Sequence, residues 1–139
     1  MKDYLFVYGT LLDGAAPAAM EAVCRRLRRC GPAVVFGTLY DLGSYPGIVL
    51  EGDKLVSGEV VGVSSASMWL RLDTYEGFDR ANPERSLYRR ERTRATLADG
   101  EAVDCWVYVY NRDLGDAAMI DCGCWRTHLF DGDVTTVPV

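Results

Sequence analysis

The sequence holds a single histidine, His128, and lacks the residue patterns that mark several common classes of enzyme. It has no Gly-x-Ser-x-Gly nucleophile elbow, no Gly-x-x-x-x-Gly-Lys phosphate loop and no dinucleotide-binding fingerprint. A Ser–His–Asp triad would have to use His128, which no neighbouring motif supports, and cysteine catalysis would depend on the same distant base. What is left is a carboxylate base, exposed backbone and tyrosines, which suit proton transfer at a polarised carbonyl without a cofactor.

The cysteines are poorly suited to a disulfide framework or to a metal site. They are odd in number and stand at Cys24, Cys30, Cys105, Cys122 and Cys124. Cys105 lies in an apolar strand pattern, which predicts a small core residue. Cys122, Cys124 and His128 are spaced like metal ligands, but zinc usually takes four ligands from two separated pairs. We therefore predict that these thiols are structural and that no metal is bound.

The chain also lacks a long apolar run and an excess of positive charge. No stretch approaches the roughly 18 consecutive apolar residues of a membrane span, and a strand pattern begins almost at Met1, which leaves no room for a signal peptide. The net charge of −5 argues mildly against nucleic acid as a partner. We expect one domain over residues 1–139, a cytoplasmic location and a small-molecule partner, with no nucleic acid and no membrane. The sequence does not determine the oligomeric state.

The most informative stretch is residues 5–11, a short apolar run broken by Tyr8-Gly9-Thr10. It predicts a buried strand that ends abruptly in a loop with exposed backbone N–H groups. Gly9 would let the backbone approach a ligand closely, and Thr10 adds a hydroxyl beside it. A strand end of this kind suits a bound anion or carbonyl oxygen, so the loop is a candidate binding site.

Residues 15–29 are predicted to form a first helix, which follows the turn signal Asp13-Gly14 and ends at Gly31-Pro32. Its apolar residues recur at helical spacing and share one face: Met20, Val23, Cys24 and Leu27. Arginines at positions 25, 26, 28 and 29 occupy the other side. They could bind RNA or phosphate, but no aromatic residues are interleaved with them. We favour a solvated face whose cations also suit the helix C-terminus.

Most of the remaining chain has the alternation of β-strands, which we predict at residues 33–40, 48–50, 56–63, 88–97 and 102–110. Residues 41–47 and 111–123 are predicted loops, and residues 98–101 a hairpin turn. Tyr45-Pro46-Gly47 fits either a rigid turn or a segment that presents Tyr45 to a ligand, and the residues alone favour the turn. Two helices and about six strands, joined mostly by hairpins, predict an α+β fold with a curved, mainly antiparallel sheet or small barrel.

Residues 68–76 are predicted to form the second helix, with candidate N-caps at Ser64, Ser65 and Ser67 and a terminating glycine at Gly77. Trp69, Leu72 and Glu76 share one face of this helix. The negative end of the helix dipole and burial against Trp69 would both raise the pKa of Glu76, towards the ~6–7 that suits a general acid/base. The alternative is that Glu76 points to solvent at a frayed helix end, and periodicity does not decide between the two.

Five short motifs then carry a resemblance to a known family. In chain order they are Phe6-Val7-Tyr8-Gly9-Thr10-Leu11, Gly37-Thr38-Leu39-Tyr40-Asp41-Leu42-Gly43 with Tyr45-Pro46-Gly47, Gly58-Glu59-Val60, Leu72-Asp73-Thr74-Tyr75-Glu76-Gly77 and Tyr88-Arg89-Arg90. Together they resemble the γ-glutamylcyclotransferase-like superfamily, particularly its small bacterial and γ-glutamylamine cyclotransferase-like members. The resemblance runs from about residue 4 to residue 126, and residues 120–126 are similar to the family's Gly-x-Trp ending.

The resemblance implies a small mixed, mainly antiparallel β-barrel with flanking helices and a pocket built on Tyr8-Gly9-Thr10-Leu11. It implies that Glu76 is the catalytic residue and that Tyr45 and Tyr88 join the loop in contacting substrate. On this assignment Glu76 carries a proton from the α-amino group of a γ-glutamyl amine or peptide to the departing amine, and 5-oxoproline is released. Because the nucleophile is already tethered, the protein needs orientation, oxyanion donors and one shuttle base, but no cofactor.

Two other functions stay open at this point: a non-catalytic module that binds a γ-glutamyl group or another small ligand, and a different acyl transfer in the same pocket. Glu76 favours an enzyme, because a binding module gains little from a carboxylate with a raised pKa. The sequence departs from the family after Arg90, where Thr93 and Ala95 replace larger apolar residues. It therefore does not define the leaving amine or peptide.

Overall fold

The computed structural model describes residues 3–12 and 16–129. The strands are β1 (Asp3–Val7), β2 (Arg28–Phe36), β3 (Thr38–Asp41), β4 (Pro46–Val49), β5 (Leu55–Val63), β6 (Tyr88–Leu97), β7 (Ala102–Tyr110) and β8 (Ala118–Met119). The α-helices are α1 (Glu21–Arg26) and α2 (Ala66–Glu76), with 3₁₀ turns at Ala18–Met20 and Pro83–Arg85. Residues 125–129 are also helical.

The strands form one sheet that closes on itself. Its order is β1-β5-β2-β6-β7-β4-β3-β8, and β1 pairs with β7 as well, so that β1, β5, β2, β6 and β7 make a closed barrel. The pairings β1–β7 and β4–β7 are parallel, and the others are antiparallel. This confirms the predicted α+β fold with a small mixed, mainly antiparallel barrel and flanking helices.

Two strands share one edge of β7. The first, β1, pairs with β7 at Leu5 opposite Trp106 and Phe6 opposite Val107. The second, β4, takes over further along the same strand, where Ile48 lies opposite Val109. Since β1 ends at Val7, the chain leaves the barrel wall at the junction of β1, β4 and β7.

Alternate residues of the barrel wall pack on opposite faces, as the twofold repeat of a strand requires. Leu5 and Val7 of β1 belong to a core cluster that also contains residues of α1 and α2, while Phe6 belongs to a second cluster on the other face. Cys105 is buried in this second cluster, which confirms its predicted place in the core. Burial raises the pKa of the Cys105 thiol to about 11, so it is inert as a nucleophile.

Helix α2 has the ends that the sequence predicts. Ser65 is its N-cap and accepts a hydrogen bond from the backbone N–H of Met68 at 3.3 Å. Gly77 ends it in the left-handed region at φ 70°, a conformation that favours glycine. Trp69 and Leu72 are buried on one face. The predicted apolar stripe of α2 therefore packs on the barrel and carries Glu76 with it at the last turn.

The predicted helix over residues 15–29 is wrong at its C-terminal end. The helix α1 ends at Arg26, and Arg28 already belongs to β2, which runs through Gly31 and Pro32. Arg28 and Arg29 pair with β5, and Arg29 lies 3.4 Å from the Glu59 carboxylate. The local spacing of apolar residues carries no information on cross-strand pairing of this kind, and here the pairing outweighs the helical pattern. The turn signal Asp13-Gly14 lies outside the described residues.

Three smaller boundaries also differ from prediction. The single strand expected at residues 33–40 is divided at Gly37 into β2 and β3, and Pro46 and Gly47 belong to β4 and not to a turn. The expected loop at residues 111–123 contains the two-residue strand β8, which pairs with β3. In each case pairing with another strand decides the conformation, with β3 for Pro46 and Gly47 and for β8.

Two features of the described residues bear on metals and membranes. In residues 3–12 and 16–129, no three His, Cys, Asp or Glu side chains are grouped so as to hold a metal ion. The single histidine, His128, instead places its Nε2 2.8 Å from the Asp41 carboxylate. None of the helices in this part of the chain has both the length and the apolar character needed to cross a membrane.

We predict that His128→Ala lowers the free energy of unfolding by at most about 1 kcal/mol, because both partners of the Asp41 contact are partly exposed. The hydrogen bond from His128 lowers the pKa of Asp41 below its ordinary value of 3.8, so its contribution is present above that pH and is lost on further acidification. Thermal unfolding of His128→Ala, Asp41→Asn and the double variant at pH 6 checks this. Additive losses in the double variant would contradict a direct contact.

Candidate active site

A cavity of about 250 Å³ lies where the loop after β1 faces the last turn of α2. Its lining residues are Phe6, Val7, Tyr8, Gly9, Thr10, Leu11, Tyr45, Pro46, Tyr75, Glu76, Leu87, Tyr88 and Tyr108. The loop, Glu76, Tyr45 and Tyr88, predicted from separate parts of the sequence, thus border the same cavity. None of the lining residues is Lys, Arg or His.

The loop from Tyr8 to Leu11 is a tight turn with free donors. The backbone N–H of Leu12 donates to the carbonyl of Gly9 at 3.0 Å. Within the described residues, the backbone N–H groups of Gly9, Thr10 and Leu11 have no backbone partner. Backbone donors without partners at a strand end are suited to a carbonyl or carboxylate oxygen.

Gly9 is required by packing against a neighbouring proline. A Cβ atom at Gly9 would lie 2.7 Å from Cγ of Pro46, which is closer than side-chain atoms tolerate. The close approach at Gly9 is therefore made to the ring of Pro46, and it brings β4 against the loop. Pro46 and the adjacent Tyr45 line the cavity as a result.

Glu76 is partly accessible through the cavity and is otherwise surrounded by protein. The loss of solvent around it raises the pKa of its carboxyl to about 8, and no neighbouring cation opposes this shift. The described residues offer the carboxyl no hydrogen bond. At neutral pH Glu76 is therefore poised to hold or release a proton, as a general acid/base must.

Three tyrosine hydroxyls beside the cavity donate to acceptors in the protein. Tyr8 donates to the carbonyl of Tyr108 at 2.6 Å and accepts from the backbone N–H of Ile48 at 3.2 Å. Tyr88 donates to the carbonyl of Pro46 at 2.6 Å, and Tyr108 donates to the Asp73 carboxylate at 2.6 Å. Burial raises the pKa of all three phenols, so they stay protonated.

A fourth tyrosine ties the loop to α2. The hydroxyls of Tyr75 and Thr10 are 2.6 Å apart in a hydrogen bond that either group can donate. Tyr75 precedes Glu76 directly, so this bond fixes the distance between the Thr10 turn and the helix end that carries the carboxylate.

The sequence interpretation missed Tyr75 and Tyr108 as residues of the site. Tyr75 stands next to Glu76 in the quoted motif, and its position beside a candidate base was a signal that could have found it. Tyr108 lies in the strong strand pattern of β7, where an aromatic residue is expected for packing alone. Only the tertiary contacts with Tyr8 and Asp73 distinguish Tyr108 from its neighbours.

Comparison with known proteins decides the family. The family model described as "Gamma-glutamyl cyclotransferase, AIG2-like" matches residues 5–127. The chain belongs to this γ-glutamyl cyclotransferase family. A relative from Vibrio cholerae, named "Putative gamma-glutamylcyclotransferase", is 30% identical over 125 residues, which make up 90% of this chain and 96% of the relative.

Solved structures share the cyclotransferase fold. YkqA from Bacillus subtilis superposes with a TM-score of 0.73 at 20% identity, over 96% of this chain and 43% of YkqA. The chain thus spans less than half of YkqA. A mouse AIG2-like protein superposes with a TM-score of 0.62 at 23% identity, over 78% of this chain and 76% of the mouse protein. At these identities the likeness shows the fold alone.

We predict that Tyr75→Phe lowers the free energy of unfolding of this family member by about 1 kcal/mol, because it removes the partly buried bond to Thr10. Urea denaturation measures the change. Tyr40→Phe is the matched control, because the Tyr40 hydroxyl makes no hydrogen bond within the described residues. Equal stability of the two variants would contradict a stabilising tie between the loop and α2.

Proposed function

We propose that the protein is a γ-glutamyl cyclotransferase that releases 5-oxoproline from a γ-glutamyl amine or peptide, with Glu76 as general acid/base. The observation that carries this proposal is the carboxyl of Glu76, with a pKa of about 8, in the same cavity as the loop with free backbone donors. A cavity of about 250 Å³ is of a size that suits a small-molecule substrate.

The backbone donors of the loop are suited to bind the carboxylate and carbonyl oxygens of such a substrate. Because no Lys, Arg or His among the described residues lines the cavity, we assign the α-carboxylate and the γ-carbonyl oxygen to the backbone N–H groups of residues 9–11. These donors would also stabilise the oxyanion that develops on the γ-carbonyl during attack. Tyr45 and Tyr88 line the same cavity and are assigned to packing along the substrate chain.

The reaction is an intramolecular aminolysis. The α-ammonium group first releases one proton to solvent; the neutral α-amino nitrogen then attacks the γ-carbonyl carbon, and a new C–N bond closes the five-membered ring. The Glu76 carboxylate takes the proton that this nitrogen loses and passes it to the leaving nitrogen as the original C–N bond breaks. The products are 5-oxoproline and a free amine, Glu76 returns to its starting state, and no group outside the chain is needed.

The test is release of 5-oxoproline from a panel of γ-glutamyl amines and γ-glutamyl dipeptides, followed by chromatography of product and freed amine. We expect equimolar 5-oxoproline and amine from at least one member of the panel. Binding of these compounds without product would instead show a ligand-binding module. Release of glutamate in place of 5-oxoproline would show a different acyl transfer, to water.

A further inference from the structure

The carboxyl of Glu76 is surrounded by phenol groups that do not bond to it. When ionised, it acts electrostatically on Tyr8, Tyr75, Tyr88 and Tyr108, and it raises the pKa of each. These tyrosines come from the end of β1, from α2, from β6 and from β7. Yet within the described residues none of their hydroxyls donates to Glu76, and each has another partner.

The partners determine which way the hydroxyl protons point. A hydroxyl has one proton to donate and two lone pairs that accept. Carbonyl oxygens only accept, so Tyr8 and Tyr88 must use their protons on the backbone of Tyr108 and Pro46. Tyr8 also accepts from Ile48, which leaves it little capacity for a ligand.

Tyr108 differs because a side chain takes its proton. Asp73 is 4% exposed, and its carboxylate accepts from the Tyr108 hydroxyl at 2.6 Å. The guanidinium of Arg90 lies 3.7 Å from the same carboxylate and stacks on the Trp69 ring at 4.4 Å and on the Trp106 ring at 5.2 Å. The pair of Asp73 and Arg90 is therefore held in place beside Tyr108, and neither of the two residues lines the cavity.

We propose that Asp73 is a positioning residue: it binds the Tyr108 proton, so that the Tyr108 oxygen faces the cavity as an acceptor for the α-ammonium group of a γ-glutamyl ligand. This inference rests on the proposed function. With its donor already used, Tyr108 attracts N–H groups and does not attract a carbonyl oxygen. The cavity then has acceptors at Tyr108 and Glu76 and donors in the loop, and this polarity orients the ligand with its amino group beside Glu76.

The test compares two ligands that differ only in the amino group: γ-glutamyl methylamide and the same molecule without its α-amino group, which cannot cyclise. We expect Tyr108→Phe to raise the KM of γ-glutamyl methylamide about tenfold, because one charge-assisted hydrogen bond to its amino group is lost, and to change kcat less. The inhibition constant of the desamino compound should change less than twofold. Tyr110→Phe, two residues along β7, should leave both constants unchanged.

Asp73→Asn tests the positioning role, because an amide can donate to the Tyr108 oxygen and turn its proton into the cavity. We expect Asp73→Asn to raise the KM of γ-glutamyl methylamide in the same selective way. A double variant that combines it with Tyr108→Phe should bind this substrate no more weakly than Tyr108→Phe alone. Tyr108→Phe leaves Asp73 paired with Arg90, so it decides the matter even if Asp73→Asn folds poorly. Equal losses of affinity for both ligands, or no loss of affinity for γ-glutamyl methylamide in Tyr108→Phe, would overturn the inference.

Failure of the proposed function has a different signature. If the wild-type protein binds both compounds but forms no 5-oxoproline, the proposed reaction is wrong, and the same comparison by calorimetric titration still tests Tyr108. If the wild-type protein turns the amine over while the variants weaken both ligands alike, the reaction stands and the role of Asp73 is wrong. If it binds neither compound, both proposals fall.

Discussion

Replacing Glu76 with Gln is expected to lower the rate of 5-oxoproline release by a factor of roughly 10²–10⁴, the range for loss of a general acid/base. Glutamine has nearly the same shape and occupies the same place in the cavity, but it cannot accept the proton of the α-amino group. The measurement is kcat for the best γ-glutamyl substrate, with product followed by chromatography. KM should change much less than kcat, since the backbone donors of the loop are untouched.

The matched control for this variant is Glu101→Gln. Glu101 is exposed in the turn directly before β7 and does not line the cavity, so its loss should leave kcat within about twofold. Activity of Glu76→Gln equal to that of the control would show that another group moves the proton. The assignment of Glu76 would then be wrong even if 5-oxoproline is the product.

The rate of 5-oxoproline release should depend on pH through the ionisation of Glu76. Because the pKa of Glu76 is about 8, only a small part of the free enzyme carries the carboxylate base at pH 6. We expect kcat/KM to rise about tenfold from pH 6 to pH 7, less steeply from pH 7 to pH 8, and then to level off. The profile of kcat against pH should level off at a lower pH than that of kcat/KM, because a bound ammonium group favours the ionised form of Glu76. Rates measured in constant-ionic-strength buffers give both profiles.

The same group should also make stability depend on pH. Between the ordinary carboxyl pKa of 4.5 and about 8, the folded state holds a proton on Glu76 that the unfolded chain has released. The free energy of unfolding therefore falls as pH rises through this window. Glu76→Gln has no such titration and should gain up to about 5 kcal/mol relative to the wild type between pH 4 and pH 9. A constant difference between the two proteins from pH 4 to pH 9 would contradict a raised pKa.

Local signals in the sequence were sufficient for much of the fold around the site. The caps at Ser65 and Gly77 and the stripe of Trp69 and Leu72 define α2, because helix ends and faces depend on residues within one or two turns. The alternation in β7 predicts its strand for the same reason. The conformation of Arg28 to Pro32 could not be predicted in this way, since it depends on pairing with β5.

The sequence by itself determined the turn after β1, the helix α2 and, through its ordered motifs, the family, whereas periodicity left open whether Glu76 points to solvent. Only the tertiary structure decided what surrounds them. Tyr8 and Tyr108 are 100 positions apart, and Tyr108 and Asp73 are 35 apart, so no local pattern records which hydroxyl donates to which acceptor. Closure of the barrel brings these groups together, and among the described residues none of these hydroxyls donates to Glu76.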